Sequence, residues 1–167
     1  MKIRQLSALS PETLDQLSDL LIAVVDDDGS VGFLPPLSQA EARAFWNQVL
    51  KPGVLLWVAE EDGQIQGTVQ LHLCQKPNAR HRAEVAKLLV HPRARRRGIG
   101  RRLMEVLEAA AREAGITLLV LDTREGDPSN RLYLSLGFQQ YGRVPEYARS
   151  ASGQLDACLF YYKLLPR

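Results

Sequence analysis

Cysteine is nearly absent from this chain: Cys74 and Cys158 are the only two in 167 residues, and no C-x-x-C spacing occurs. A disulfide framework is therefore excluded, and a reducing, cytoplasmic compartment is expected. Long apolar runs are missing too. The N-terminal MKIRQLSALS has no apolar segment of signal-peptide type, and no stretch approaches the roughly 18 apolar residues of a membrane helix. Neither secretion nor membrane association is expected. Histidine is scarce: His72, His81 and His91 are scattered. His72 and Cys74 share a strand face, but two ligands do not make a metal site, so a structural or surface role is expected and no metal. Charge of one sign is lacking, with a net of only +2, so general affinity for nucleic acid is not implied. A Walker A loop and a G-x-G-x-x-G fingerprint are both missing.

What is present is 46% hydrophobic composition over 167 residues, enough for a single domain, 1–167, with its own core. Residues 2–7 form a strand. Ser10 then caps a helix with Pro11 at its first position and a stripe of Leu14, Leu17, Leu21, Val24 and Val25. Ser38 and Glu41 make a capping box for a second helix, broken by Lys51-Pro52-Gly53. Two strands, 54–60 and 64–74, turn at Asp62-Gly63, and a third runs from 81 to 91. A central helix carries Ile99, Leu103, Val106, Leu107, Ala110 and Ala114 on one face and stops at Gly115. A buried strand covers 116–121 and ends at Asp122-Thr123; a short helix starts at Asp127-Pro128 and closes at Gly137. Strands over 138–147 and 155–164 finish the chain. The order β-α-α-β-β-β-α-β-α-β-β, with a helix between two buried strands, argues an α/β fold with a parallel pair inside a mixed sheet.

The organising stretch is Val85 to Arg102. An apolar strand stops at Pro92, an arginine-packed turn follows, and Ile99 opens the central helix. Such a junction points unpaired backbone N–H groups outward at the positive end of a helix dipole, where phosphate binds. Gly98 and Gly100 admit close approach of a ligand. An arginine-rich surface turn that merely caps a helix has the same composition.

The order Arg95-x-x-Gly98-x-Gly100 after a strand ending in Val90-x-Pro92 resembles the acetyl-CoA motif of the GNAT superfamily of N-acetyltransferases, and the element order agrees over nearly the whole chain. Ser30-Val31-Gly32-Phe33, Leu55-Leu56-Trp57-Val58, Leu73-Cys74-Gln75-Lys76-Pro77-Asn78, Arg82-Ala83-Glu84-Val85 and Leu121-Asp122-Thr123 are similar to a narrower branch, the tabtoxin-resistance acetyltransferases, which act on a small β-lactam amino acid. The resemblance implies a GNAT fold, with a mixed central sheet and splayed parallel strands flanked by helices. It also implies acetyl-CoA as cosubstrate, a cytoplasmic enzyme, and a small-molecule amine as partner, with antibiotic resistance as one role. The oligomeric state stays open.

In that family the CoA pyrophosphate would rest on Arg96, Arg97, Gly98, Ile99, Gly100 and Arg101, with Arg95 shaping or charging the loop. The pantetheine arm would lie along Leu88, Leu89 and Val90. Because an aliphatic ammonium titrates near 10, a base is useful. Glu84 and Asp122 match the family's proposed base and its partner, although a strand rise of about 3.3 Å per residue sets Glu84 roughly 13 Å upstream of Leu88 if both are extended. Tyr133, four residues before Gly137-Phe138, matches the tyrosine that protonates the CoA thiolate. The asparagine often found seven residues earlier is Gly126 here, and its role does not pass to Asn130. Phe33, Gln75, Asn78 and Tyr147 are expected to rim the acceptor pocket, though each equally suits ordinary surface or core. A protein or peptide amine as acceptor, a non-catalytic acetyl-CoA sensor, and a nucleic-acid binder using Arg93 to Arg102 are the other readings. The last lacks interleaved aromatics.

Overall fold

The computed structural model describes residues 1–167. Seven strands form one sheet in the order β1 (Lys2–Leu6), β2 (Val54–Glu61), β3 (Gln64–Leu73), β4 (Arg82–Val90), β5 (Leu118–Arg124), β7 (Leu155–Leu164) and β6 (Gln139–Arg149). All neighbours are antiparallel except β4 and β5. Helices α1 (Pro11–Asp26) and α2 (Gln39–Asn47) cover one face, and α3 (Ile99–Glu113) and α4 (Ser129–Ser135) belong to the other. This is the mixed sheet with flanking helices that the element order implies. The caps fall where Ser10 and Ser38 place them: Ser10 Oγ accepts from Thr13 N–H, and the Ser38–Glu41 capping box is complete.

Two apolar clusters hold the helices. Leu103, Met104, Leu107 and Ala111 of α3 pack on Trp57, Val69, Leu71, Ala83, Val85, Leu119 and Leu121. On the opposite face, Leu17, Leu20, Leu21 and Trp46 pack on Leu56, Val58 and Leu89. Leu89 therefore faces opposite to Ala83 and Val85, which simple alternation would forbid. The reason is a β-bulge. Gln70 pairs with Ala86 and Thr68 with Leu89, so Lys87 and Leu88 together stand opposite Val69. Lys87 sits at φ +51°, and beyond it the strand's two faces are exchanged.

Most strand boundaries fall within a residue or two of the sequence expectation, and β5 departs furthest. β5 runs 118–124 rather than 116–121, because Ile116 still closes the helix end, its N–H donating to the Ala111 carbonyl. Asp122 and Thr123 are in turn held in the ladder by Phe160 and Leu159 of β7. Asp122 is thus a strand residue with an alternating side-chain direction rather than a loop cap.

Gly67 lets α3 sit this close to β3 and β4. A Cβ there would lie 2.9 Å from the Leu89 carbonyl oxygen and 3.0 Å from Ile99 Cγ2. Gly67→Ala should therefore destabilise the fold by about 1–3 kcal/mol, read as a lower urea midpoint, and it should weaken whatever binds the start of α3. A wild-type midpoint would show that the helix is not seated as described.

Candidate active site

Parallel pairing between β4 and β5 lasts for three residue pairs only, Arg82–Leu118, Ala83–Leu119 and Glu84–Val120. Beyond them each strand continues, β4 to Val90 and β5 to Arg124, without pairing to the other. The edge of β4 from Val85 onward therefore opens on a wedge-shaped gap through the sheet. Leu88 and Val90 pack toward the α3 cluster, while Leu89 is buried under α1.

At the wide end of the gap, the 3-10 turn Pro92–Ala94 leads into the arginine turn and α3. Arg96 (φ +62°) and Gly98 (φ +77°) are both left-handed, and α3 starts without a side-chain cap. The first helical bond is from Arg102 N–H to the Gly98 carbonyl, so the N–H groups of Arg95 to Arg101 donate to nothing in the chain. Left-handed residues leading into a helix start with free N–H groups form a concavity of the kind that suits an anion. The arginine side chains are partly engaged elsewhere: Arg95 pairs with Asp27, Arg97 with Glu61 at 2.6 Å, and Arg101 reaches Ser135 Oγ at 2.6 Å. The donors this turn leaves free are thus its backbone N–H groups, with the arginine side chains around them. A Cβ on Gly100 would touch Leu132 Cδ2 at 3.3 Å, which marks where α3 and α4 approach each other.

On the α3 side of the gap stands Tyr133. It is buried, lies 5.8 Å from the Phe138 ring and 6.1 Å from Tyr161, and its hydroxyl makes no hydrogen bond within the chain. Burial, with help from the Asp122 charge, pushes its pKa well above the ordinary tyrosine value, so it stays protonated. Asn130, by contrast, is a bracket: its amide donates to the Arg124 and Asp127 carbonyls, and its oxygen accepts from Tyr161.

On the other face the gap exposes Glu84 of β4 and Asp122 of β5, which the structure brings to the same side of the sheet. Glu84 lies directly opposite His72 of β3, and Asp122 opposite Phe160 of β7. The bulge turns Lys87 to this side as well, with its ammonium 5.9 Å from the centre of the Phe45 ring. Desolvation raises the pKa of Asp122, opposed by Lys87, and lowers that of Lys87, opposed by Asp122 and then Glu84. His72 is lowered by desolvation, with Glu84 acting against it. The sequence does not mark Lys87, and it marks His72 only as a structural or surface residue. Lys87 reaches this face only through the bulge, and His72 is placed by a pairing register between distant segments.

The expected rim residues separate into two groups. Phe33 meets the Phe45 ring edge-on at 5.2 Å and lines a cavity of about 250 Å³ with Asp28, Arg124 and Ala151. Tyr147 packs edge-on to Phe160 at 5.3 Å, and its pKa is raised chiefly by the Asp122 charge. A second bulge, with Glu146 at φ +53°, sets Tyr147 there. Gln75 and Asn78 lie in the loop before β4, at the end where β4 and β5 are still paired, and the Gln75 amide donates to the Leu73 carbonyl. The structure does not bring these two to the open part of the gap. Arg124, which sequence reading passed over, ties the mouth together: it contacts Asp127 at 3.0 Å and Asp28 at 3.4 Å and donates to the Asp28 carbonyl at 2.8 Å.

The chain is similar to known proteins in sequence and in fold. A family model described as the acetyltransferase (GNAT) family matches residues 21–138. An uncharacterized N-acetyltransferase in the hisH-hisA intergenic region of Azospirillum brasilense is 32% identical over 126 residues, 74% of this chain and 75% of that protein. The aminoalkylphosphonate N-acetyltransferase of Salmonella typhimurium is 32% identical over 104 residues, 61% of this chain and 68% of that protein. The crystal structure of a ribosomal-protein-alanine N-acetyltransferase from Brucella melitensis has the same fold, with a TM-score of 0.83 at 24% identity over 99% of this chain and 100% of that one.

The raised pKa of Asp122 makes a testable statement about stability. The folded protein holds this proton more tightly than the unfolded chain, so ionised Asp122 costs stability at neutral pH. The cost is absent below the unfolded value of about 3.9. Asp122→Asn should therefore raise the Tm at pH 7, with the advantage shrinking as pH falls toward about 4. Scanning calorimetry across that range checks it; a lower Tm at pH 7 would contradict the placement of Asp122.

Proposed function

The chain belongs to the acetyltransferase (GNAT) family, and from that premise we propose that residues 1–167 act as one cytoplasmic catalytic domain that acetylates the amine of a small, amino-acid-like molecule with acetyl-CoA as donor. The observation that carries this reading is the gap between β4 and β5, with an anion cradle at its wide end, Tyr133 on one face and Glu84 with Asp122 on the other. A small acceptor is favoured over a peptide because the far side of the cleft is bridged. Asp28, after α1, receives Arg124 and, at 3.4 Å, the Ala151 N–H from the β6–β7 turn. The resemblance to the tabtoxin-resistance acetyltransferases points the same way, with inactivation of an antibiotic or toxin as the corresponding role.

The chemistry follows from this placement. The N–H groups of Arg95 to Arg101 hold the CoA pyrophosphate, and the unpaired edge of β4 at Leu88 to Val90 takes the pantetheine arm as a strand takes a neighbour. A β4 N–H beside Leu88 polarises the thioester carbonyl. The acceptor arrives as an ammonium, attracted by Glu84 and Asp122, and gives up one proton to that pair directly or through water. The free amine attacks the carbonyl carbon, the C–N bond forms, the C–S bond breaks, and the electron pair leaves on sulfur. Tyr133 faces that sulfur. Its raised pKa lies above the ordinary thiol value of about 8.5, so it serves by donating a hydrogen bond as charge develops on sulfur. As the intermediate collapses the new amide nitrogen loses its second proton, and that proton balances the one the departing thiolate takes up to become CoA-SH.

A thiol-release assay with acetyl-CoA across an amine panel tests the reading. Glu84→Gln and Asp122→Asn should each lower kcat/KM by roughly 10²-fold, and the double variant should be little worse than the poorer single one if the two act as a unit. Acetyl-CoA affinity should hold in all three. Strictly additive losses, or a loss of acetyl-CoA binding, would remove the pair from proton transfer.

A further inference from the structure

The gap carries more charge chemistry than acetyl transfer to a plain amine requires. Two carboxylates, Glu84 and Asp122, suffice to attract and deprotonate an ammonium. Lys87 stands on the same face, and a cation there repels the protonated acceptor. Asp122 and Glu84 act on it from a distance, but none of the protein's close ion pairs includes it. Nor does it donate any hydrogen bond; its contacts are the Phe45 ring and, 3.6 Å from where a Cβ would stand, Gly32. It is half-buried, and its backbone is strained at φ +51°. A desolvated ammonium with three unused donors costs stability that an ordinary strand residue would avoid.

A second, independent orphan lies beside it. Gln70 pairs across the ladder with Ala86, the residue before Lys87, and is 2% exposed. Its Oε1 is 2.8 Å from His72 Nε2, so that oxygen is committed, while its Nε2 has no partner. Gln70 lines a cavity of about 300 Å³ together with Phe45, Gln48, Lys51 and His72, and no carboxylate is among the lining residues. Two donors on the cleft face of the sheet therefore lack acceptors, one on Lys87 and one on Gln70, which faces Lys87's neighbour across the ladder. Buried donors of this kind are satisfied by a ligand where the protein does not satisfy them.

We propose that Lys87 and Gln70 form the recognition site for an anionic group on the acceptor, a carboxylate, phosphonate or phosphate, so that the substrate is a zwitterion. Its ammonium lies toward Glu84 and Asp122, and its anion lies on Lys87 Nζ and Gln70 Nε2. The inference rests on the acetyltransferase reading of the cleft and adds the substrate's second charge. Lys87 is then a specificity-determining residue. An amine without the anion leaves both donors unpaired in a desolvated site, the arrangement that discriminates most strongly between otherwise similar ligands.

The test uses matched acceptors in the thiol-release assay, with L-tyrosine against tyramine and L-histidine against histamine as the carboxylate arm and 2-aminoethylphosphonate against ethylamine as the phosphonate arm. Rates are expressed per unprotonated amine. The wild type should prefer the anion-bearing member by roughly 10²-fold or more in kcat/KM in at least one arm. Lys87→Met should bring that ratio to within roughly tenfold, and Lys87→Arg should keep part of it. Acetyl-CoA affinity by calorimetry reports folding and should stay at the wild-type value in both. No preference in either arm, or a ratio unchanged in Lys87→Met, overturns the proposal. If no amine in the panel is turned over, the acetyltransferase reading fails on its own. Calorimetry of the same pairs with CoA-loaded protein then decides Lys87 separately, and equal binding of both members overturns it.

Discussion

The site depends on an interruption: β4 and β5 pair for three residues and then separate. A parallel ladder that continued to Val90 would consume the backbone groups on that edge of β4 and close the sheet. The divergence is held from outside the gap. On one side β4 is fastened to β3 through Gly67–Val90. On the other, β5 is fastened to β7 along its whole length, from Leu118–Leu164 to Arg124–Cys158. Each strand therefore keeps one satisfied edge and presents the other, which allows unpaired main chain to persist inside a sheet. The gap also lets charges on one face act on groups of the other, as Asp122 does on Tyr133.

Backbone strain gathers around that opening. Five residues other than glycine adopt positive φ: Asp28, Asp62, Lys87, Arg96 and Glu146. Asp62 serves the β2–β3 turn and Asp28 follows α1. The other three each position part of the site: the bulge that turns Lys87 into the cleft, the turn that bares the N–H groups before α3, and the bulge that sets Tyr147 against Phe160. Left-handed backbone in side-chain-bearing residues costs free energy and persists where the surrounding structure fixes it. At Lys87 and Glu146 it is fixed by the pairing of β3 with β4 and of β6 with β7.

The parts of this arrangement that sequence revealed are local ones. The glycine-bearing turn before α3 was legible because Gly98 and Gly100 fall between an apolar strand and a helical period, and the starts of α1 and α2 were legible through Ser10 and Ser38. Glu84, Asp122 and Tyr133 came from the family resemblance, and the fold places them around one gap. What escaped is set by long-range pairing. Alternation along Ala83, Val85 and Lys87 would send Lys87 to the α3 side, and only the register against Gln70 and Thr68 reverses it. The end of β5 was misplaced for the same reason, since Asp122 and Thr123 become strand through β7. The roles of Arg124 and Asn130 rest on partners as distant as Asp28 and Tyr161, which no local pattern indicates.

A crystal structure of the protein with acetyl-CoA tests the central claim most directly. The account predicts the pyrophosphate on the N–H groups between Arg95 and Arg101 and the pantetheine amides paired to the free edge of β4 at Leu88 to Val90. It places the thioester between Tyr133 on one face and Glu84, Lys87 and Asp122 on the other. A complex in which β4 and β5 zip together beyond Glu84, or in which CoA binds away from the gap, would contradict it.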